Sequence, residues 1–496
     1  MNTSLNYNWQ HGSTLVVALV FITSAKILCI PAYRSTDFDV HRNWLSITRH
    51  LPLSEWYFDD INGTTVHTLD YPPAFAFYEF ILSNSPVTEW LIRSNRLDER
   101  CLEPLPDFDN EPSKACVIFH RSTVILSDAI LWIGAYLACD YQGFLLTVLH
   151  PGLLWLDHVH FQYNGALLGI LLASLGLLVK GDQQTGWKYH AHYLGSAALY
   201  ALLITLKHLY ITLAPFYFVY LLSNYCFRRD GNFSAINFLA VATVAGGTLV
   251  IPFVPFLLQE NPMQQMAQIV ARLFPFGRGL VHDYWAANVW ALWMLLDKVM
   301  KKLLGVALPE VSPVACSLCL VVALLPGLVW CWRASSKTFL YCIIYGALAS
   351  FMLAYHVHEK AIMTAIIPLT MLVRESTETK LLYLRINALG LIGLFPVLFR
   401  PIELPLKVFS FVSYMTWAYH LLGEAKLAWF DWFGMTILAV VVAFLEVLHP
   451  LFVYPSMEFL PLLLISITCS VGLIGCCVHA TKLTFQSLQN VKTKSS

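Results

Sequence analysis

Two carboxylates, an imidazole, a guanidinium and an indole crowd into the stretch Ser35-Thr36-Asp37-Phe38-Asp39-Val40-His41-Arg42-Asn43-Trp44, directly after the first apolar segment. Charge at a membrane edge has to be offset by a partner or a substrate, which makes such a stretch a candidate site. A carboxylate placed there can act as general base toward a hydroxyl. Asp37 and Asp39 stand at i, i+2, so on a helix they point apart, one toward chemistry and the other toward capping or packing. Spacing leaves open which acid takes which part. The bland alternative is an interfacial anchor of acidic and aromatic residues.

Further polar clusters interrupt the apolar runs: Asp70-Tyr71-Pro72-Pro73, Asp157-His158-Val159-His160-Phe161-Gln162-Tyr163-Asn164, Lys207-His208, the arginines of Arg272-Leu273-Phe274-Pro275-Phe276-Gly277-Arg278, and Tyr355-His356-Val357-His358-Glu359-Lys360. Imidazoles and fixed cations around a carboxylate suit transfer from a lipid-linked phosphate, because cations stabilise the charge that grows on the departing group. His358, Lys360, Arg272 and Arg278 are the phosphate-side candidates, with His356 beside them. For the two arginines a solvated or headgroup-facing role is the alternative. Asp39, Arg42, Trp44, Asp70, Tyr71, His158, His160, Gln162 and Lys207 are grouped as acceptor-side or pocket residues. His158 and His160 share no helix face and have no third ligand nearby, so a hydrogen-bonded pair is expected rather than a metal site.

These clusters need a membrane scaffold to position them. Of 496 residues, 57% are apolar and only 12% charged, about half the usual charged share, which excludes a water-soluble fold. With 31 basic and 31 acidic residues there is no basic stripe, and nucleic acid is not expected as a partner. The 12 cysteines show no paired zinc spacing; Cys316 and Cys319 lie inside an apolar run, and Cys469, Cys476 and Cys477 read as small apolar residues. Cys101 and Cys116 bracket one end of a hydrophilic loop and are able to pair in an oxidising lumen.

Apolar runs predict an all-α polytopic protein of about fourteen spans, beginning with an uncleaved segment at Leu15 to Pro31. A hydrophilic loop over 32–115 is too long for a mere connector. Within it, Trp44 to Thr48 and Ala76 to Leu82 are expected to lie on the membrane surface, separated by the rigid turn at Pro72-Pro73. A second long loop, 259–311, carries Trp285, Trp290 and Trp293 beside Asp297, Lys298, Lys301 and Lys302, which reads as an interfacial helix over Ala287 to Leu304. The chain thus divides into an N-terminal module over 1–258, this loop, and a C-terminal module over 312–496. The basic joint Cys226-Phe227-Arg228-Arg229-Asp230 marks the cytosolic side. Alternation then sends the Asp37 loop and the other polar clusters to the lumen, and both termini, with Lys482, Lys492 and Lys494, to the cytosol. The sequon Asn62-Gly63-Thr64 fits a lumenal loop, whereas Asn232-Phe233-Ser234 falls on the cytosolic side.

Taken in order, Asp37-Phe38-Asp39 with His41-Arg42-Asn43-Trp44, Leu69-Asp70-Tyr71-Pro72-Pro73, Asp157 to Gly165, Arg272 to Phe276 and His356-Val357-His358-Glu359-Lys360 resemble the endoplasmic-reticulum glucosyltransferases that use dolichyl-phosphate-glucose. The resemblance spans nearly the whole chain. It implies a GT-C fold, an inverting reaction on dolichol-linked donor and acceptor lipids in the endoplasmic-reticulum membrane, and no required metal, cofactor or obligate protein partner. It also places the catalytic aspartate on Asp37 and the phosphate-binding histidine on His358. Ser35 to Asp39 and Tyr284-Trp285-Ala286-Ala287-Asn288 are similar to the member that adds the second, α-1,3-linked glucose rather than the first, with Ala287 standing where proline is usual. The member adding the first glucose is the alternative within the family. From other classes, a transporter would show internal repeats and mid-membrane helix breaks, and a scaffold would tolerate loss of Asp37.

Overall fold

The computed structural model describes residues 12–58, 67–103, 111–227, 231–281, 285–423, 426–454 and 457–495, excepting the side chains of Arg278 and 490–495. Asn62 to Thr64, Arg228 to Asp230, Tyr284 and the side chains of Lys492 and Lys494 therefore lie outside the described residues. The rest is helical, with no strand among the described residues. Among the described residues nine helices are long and apolar enough to cross a membrane: Lys114–Ala138, Asn164–Gly181, His208–Cys226, Ala235–Leu257, Pro313–Cys331, Ser336–Leu353, Thr377–Val397, Trp429–Phe452 and Leu460–Gln489. The other apolar stretches read from sequence also fall on helix. These are α1 (Gly12–Leu28), the broken segment from Tyr141 to Val159, Gly186–Leu206, the short turns from Glu359 to Leu372, and Leu404–Leu421.

The loop after α1 folds into a small module of its own. Helix α2 (Thr36–His50) starts at Ser35, whose side chain accepts from the Phe38 amide, and carries Asp37 and Asp39 in its first turn and Arg49 and His50 in its last. Acids at the start and bases at the end both complement the helix dipole. Helix α3 (Pro73–Ser83) begins where the two prolines demand, with Pro72 as N-cap and Pro73 in the first turn; α4 (Pro86–Arg93) follows. The surface-lying expectation fails for α2, because Phe38 and every residue from His41 to Thr48 are buried. Its apolar and aromatic side chains, Phe38, Trp44 and Ile47, form a core with Phe75, Phe161, Tyr163 and Phe256 instead of facing lipid. A disulfide joins Cys101 to Cys116 and closes the module onto α5 (Lys114–Ala138).

Against α5 packs the helix Asn164–Gly181. At this crossing Gly134 meets Gly169, and a side chain on either would collide with the backbone of the opposite helix. Small residues permit such close approach between spans. The chain reaches this helix through a π-helical turn, Leu154–Val159, a wider winding that is frequent at functional sites. Asp157 in that turn caps the helix, accepting from the amides of Asn164 at 3.1 Å and Gly165 at 2.6 Å.

The second long loop contains a helix at Val289–Leu304, capped by Asn288 and ended by Gly305 in the left-handed region at φ 66°. It is amphipathic: Trp290 is buried and donates to the carbonyls of Leu353 and Ala354, while Lys301 pairs with Asp297 at 2.6 Å. Lys298 lies 4.6 Å from the Trp285 ring centroid. Ala287 is buried ahead of the helix, and Ser470 fastens the adjacent Asn288 carbonyl at 2.7 Å.

Candidate active site

Four residues of α2 face one cavity: Asp37, Val40, His41 and Trp44. Their spacing of i, i+3, i+4 and i+7 is one stripe of an α-helix. The cavity, of about 520 Å³, is completed by four connections between helices. Thr68, Asp70 and Tyr71 come from the α2 to α3 segment, Gln162 from the link between the π-turn and Asn164–Gly181, Lys207 and His208 from the turn after Gly186–Leu206, and His356, His358 and Lys360 from the turn after Ser336–Leu353. Arg272, Phe274 and Phe276 close one side. The volume lies within the range of small-molecule sites.

Asp37 is held by one oxygen. Lys360 Nζ donates to its Oδ2 at 2.9 Å, His160 Nε2 lies 3.2 Å from the same atom, and the Gln162 amide donates to it as well. No hydrogen bond from the described residues engages Oδ1. Burial pushes the carboxyl up, but Lys360 and His160 more than reverse this and hold it well below the usual carboxylate range. Asp37 is therefore ionised at neutral pH, with one oxygen engaged and the other available.

Each donor is itself oriented. Tyr33 donates to the Val397 carbonyl at 2.8 Å and stands 3.0 Å from His160 Nδ1, which fixes the position of that ring. Lys207 and the Asn164 amide donate to Gln162 Oε1, at 3.4 and 3.3 Å, which turns the Gln162 NH₂ toward Asp37. Lys207 also donates to Asn164 Oδ1 at 3.1 Å and lies 5.0 Å from the Tyr71 ring centroid. The arrangement can take a proton from a hydroxyl at Asp37 and meet an anion at the cations around it.

The sequence profile of the ALG6, ALG8 glycosyltransferase family matches residues 22–480. The chain belongs to this family. Similar proteins include the dolichyl pyrophosphate Glc1Man9GlcNAc2 alpha-1,3-glucosyltransferase of Mus musculus, 36% identical across 91% of this chain and 92% of the relative. A probable enzyme of that name in Drosophila melanogaster is 35% identical over 91% of each chain. The Arabidopsis thaliana enzyme is 33% identical across 91% of this chain and 94% of its own.

In this family member, ten of the residues singled out from sequence line the cavity: Asp37, Trp44, Asp70, Tyr71, Gln162, Lys207, Arg272, His356, His358 and Lys360. His160 reaches Asp37 from behind the wall. His356 adopts a positive φ of 52° and is anchored to the Phe276 turn, its amide donating to Leu280 at 3.0 Å. Arg272 donates from Nε to the Tyr57 carbonyl at 3.3 Å. Arg278 has its side chain outside the described residues.

Four of the grouped residues have partners other than those expected. Asp39 turns away and pairs with Arg34 at 3.1 Å, the divergence its spacing requires. Arg42 is no pocket residue: it sits five positions after Asp37, on another face of α2, and its guanidinium donates to the carbonyls of Arg100 and Cys101. His158 points into the helix bundle, 3.1 Å from Asp128 of α5, while His160 two residues on points to Asp37. Lys360, expected on a phosphate, lines the cavity but is engaged with Asp37.

Sequence reasoning missed His41, whose Nδ1 lies 2.8 Å from Glu79 Oε1 at full burial of both. Helical periodicity counted from Asp37 identifies it. Burial pushes the Glu79 carboxyl up, against the opposing hydrogen bond from His41. Also missed was the pair Lys26 to Asp128, 2.8 Å apart with side chains 2% and 3% exposed. Its signal was a charge inside each of two apolar runs.

Proposed function

We propose that this chain moves glucose from dolichyl-phosphate-glucose to the monoglucosylated, dolichol-diphosphate-linked high-mannose oligosaccharide, adding the second, α-1,3-linked glucose for protein N-glycosylation. The names of the relatives support the acceptor, and the cavity at Asp37 supports the chemistry. The observation that carries the reading is the Asp37 carboxylate, with Oδ2 engaged by Lys360, His160 and Gln162 and no hydrogen bond from the described residues on Oδ1.

In this reading Oδ1 takes the proton of the acceptor glucose hydroxyl as its oxygen attacks C1 of the donor glucose. The C1 to phosphate-oxygen bond breaks on the opposite face, its electron pair passes to the phosphate, and the configuration inverts. Cations of the cavity, with His358 near the phosphate, stabilise that charge; the reaction uses no metal or other cofactor. Trp44 and Tyr71 offer faces, and Asp70 an acceptor, to a sugar. The same reading takes the fold as GT-C with about fourteen spans in the endoplasmic-reticulum membrane. Two seven-span modules flank the 259–311 loop, the cavity faces the lumen, and both termini are cytosolic.

Purified protein given synthetic donor and both the unglucosylated and the monoglucosylated acceptor tests this. Glucose appearing only on the monoglucosylated acceptor, in α-1,3 linkage, is expected. Transfer to the unglucosylated acceptor instead would make it the first-glucose enzyme, and no transfer to either would overturn the reading.

A further inference from the structure

Lys207 differs from the other buried lysines of the chain. Lys26 lies 2.8 Å from Asp128, and Lys407 lies 2.5 Å from Glu446. The cavity's second lysine, Lys360, lies 2.9 Å from Asp37. Lys207, 7% exposed and on the cavity wall, has only neutral partners: Asn164 Oδ1, Gln162 Oε1 and the face of Tyr71. Among the described residues no carboxylate stands at ion-pairing distance from it. An ammonium taken out of water without a counter-ion is costly and is expected where the counter-ion arrives as ligand.

We infer that Lys207 is the cation that receives the phosphate of the lipid donor, taking up a proton as the donor binds. This rests on the donor proposed above and assigns its anionic group a specific partner. Lys360 is the obvious rival, but its charge is balanced by Asp37, and moving it to a phosphate would strip the base of its main partner. The site favours an anion over a neutral sugar because Lys207 stands beside His208, with Arg272, His356, His358 and Lys360 on the other walls. Of the acids facing it, Asp37 comes from α2, Asp70 from the segment before α3 and Asp157 from the π-turn; each favours its charge from beyond contact distance.

Burial, with repulsion from Lys360, outweighs those acids and brings the Lys207 ammonium down to about 7. Near neutral pH it is then only partly charged. A bound anion favours the charged form, so binding is strongest below that value and weakens as pH rises through it. Above pH 7 the donor dissociation constant should rise about tenfold per pH unit until the bound-state value is reached.

The test uses the full chain in lipid nanodiscs and a short-chain isoprenyl phosphonate C-glucoside, which binds but cannot transfer. Titration calorimetry from pH 6 to 9, in two buffers of different ionisation enthalpy, counts protons taken up. Wild type should show uptake approaching one proton at pH 8.5 and the rising dissociation constant. Lys207→Arg, permanently charged, should bind with the pH slope and the uptake abolished. Lys207→Met should lose at least tenfold in affinity at pH 7 and also show no uptake, with thermal melting confirming that it folds. Wild-type binding without uptake overturns the inference, as does an arginine variant that keeps the full slope. The donor reading survives either result. Glucose-free isoprenyl phosphate and inorganic phosphate serve as further probes. Tight binding of inorganic phosphate alone would make this an anion site unrelated to lipid, whereas failure of every isoprenyl probe would sink the donor reading too.

Discussion

Lys360 Nζ stands 2.9 Å from Asp37 Oδ2, across 323 residues of chain. That contact ties the first turn of α2 to the connection after Ser336–Leu353, so the candidate base exists only when the two ends of the sequence are assembled.

Asp37→Asn keeps the volume of the side chain but removes its basicity and the charge that balances Lys360. Turnover should fall on the order of 10³-fold, the scale of a lost general base, in protein that thermal melting shows to be folded. Near wild-type turnover in this variant, measured with synthetic donor and acceptor, would remove the mechanism.

Lys360→Met should show itself in a pH profile. Asp37 is raised by burial and brought well below the usual carboxylate range chiefly by Lys360, so wild-type kcat/KM should have no acid limb from this group above about pH 5. Without the lysine, His160 alone opposes burial and the carboxyl rises. Activity at pH 5.5 should then drop relative to pH 7.5, with the acid limb shifted upward; an unshifted limb would contradict the pairing.

His41 and Glu79 form a buried pair at 2.8 Å on the floor of the α2 to α3 module. Removing one partner leaves the other a buried polar group without its hydrogen bond, at a cost of about 1–3 kcal/mol. Glu79→Leu should therefore lower the melting temperature of detergent-solubilised protein clearly more than Arg34→Ala, which removes only the exposed-side partner of Asp39.

Cys101 and Cys116 are 15 residues apart, and closing a loop of that length stabilises by about 3 kcal/mol in the chain-entropy model. Cys101→Ser should reduce the stability of the module. It should also loosen Arg42, which donates to the Cys101 carbonyl at 3.3 Å. Limited proteolysis should then digest the variant faster than wild type.

Much of this architecture was legible because charge is rare in an apolar chain. The polar residues that interrupt the runs near Asp157, Lys207 and His358 are the connections that line the cavity. The register of α2 was harder. His41, not Arg42, faces the cavity, and this follows only once the helix is known to start at Thr36 and to carry Asp37 inward. His158 and His160 part for the same reason, one toward Asp128 and one toward Asp37. Partners such as Glu79 for His41, or Lys360 for Asp37, lie beyond pattern reading altogether, since nothing local fixes which of several distant groups arrives.

The Lys26 to Asp128 pair bears on how the protein is made. Its α1 is the earliest described apolar helix to be synthesised and carries in its last turn a lysine that needs a partner once it is out of water. Its carboxylate arrives 102 residues later. Nascent chains that end before Asp128 should therefore hold α1 poorly in the bilayer, and its stable integration should coincide with the emergence of α5. α1 and α5 are then expected to mature together, so a lesion at either residue should act through quality control during synthesis before it acts on turnover.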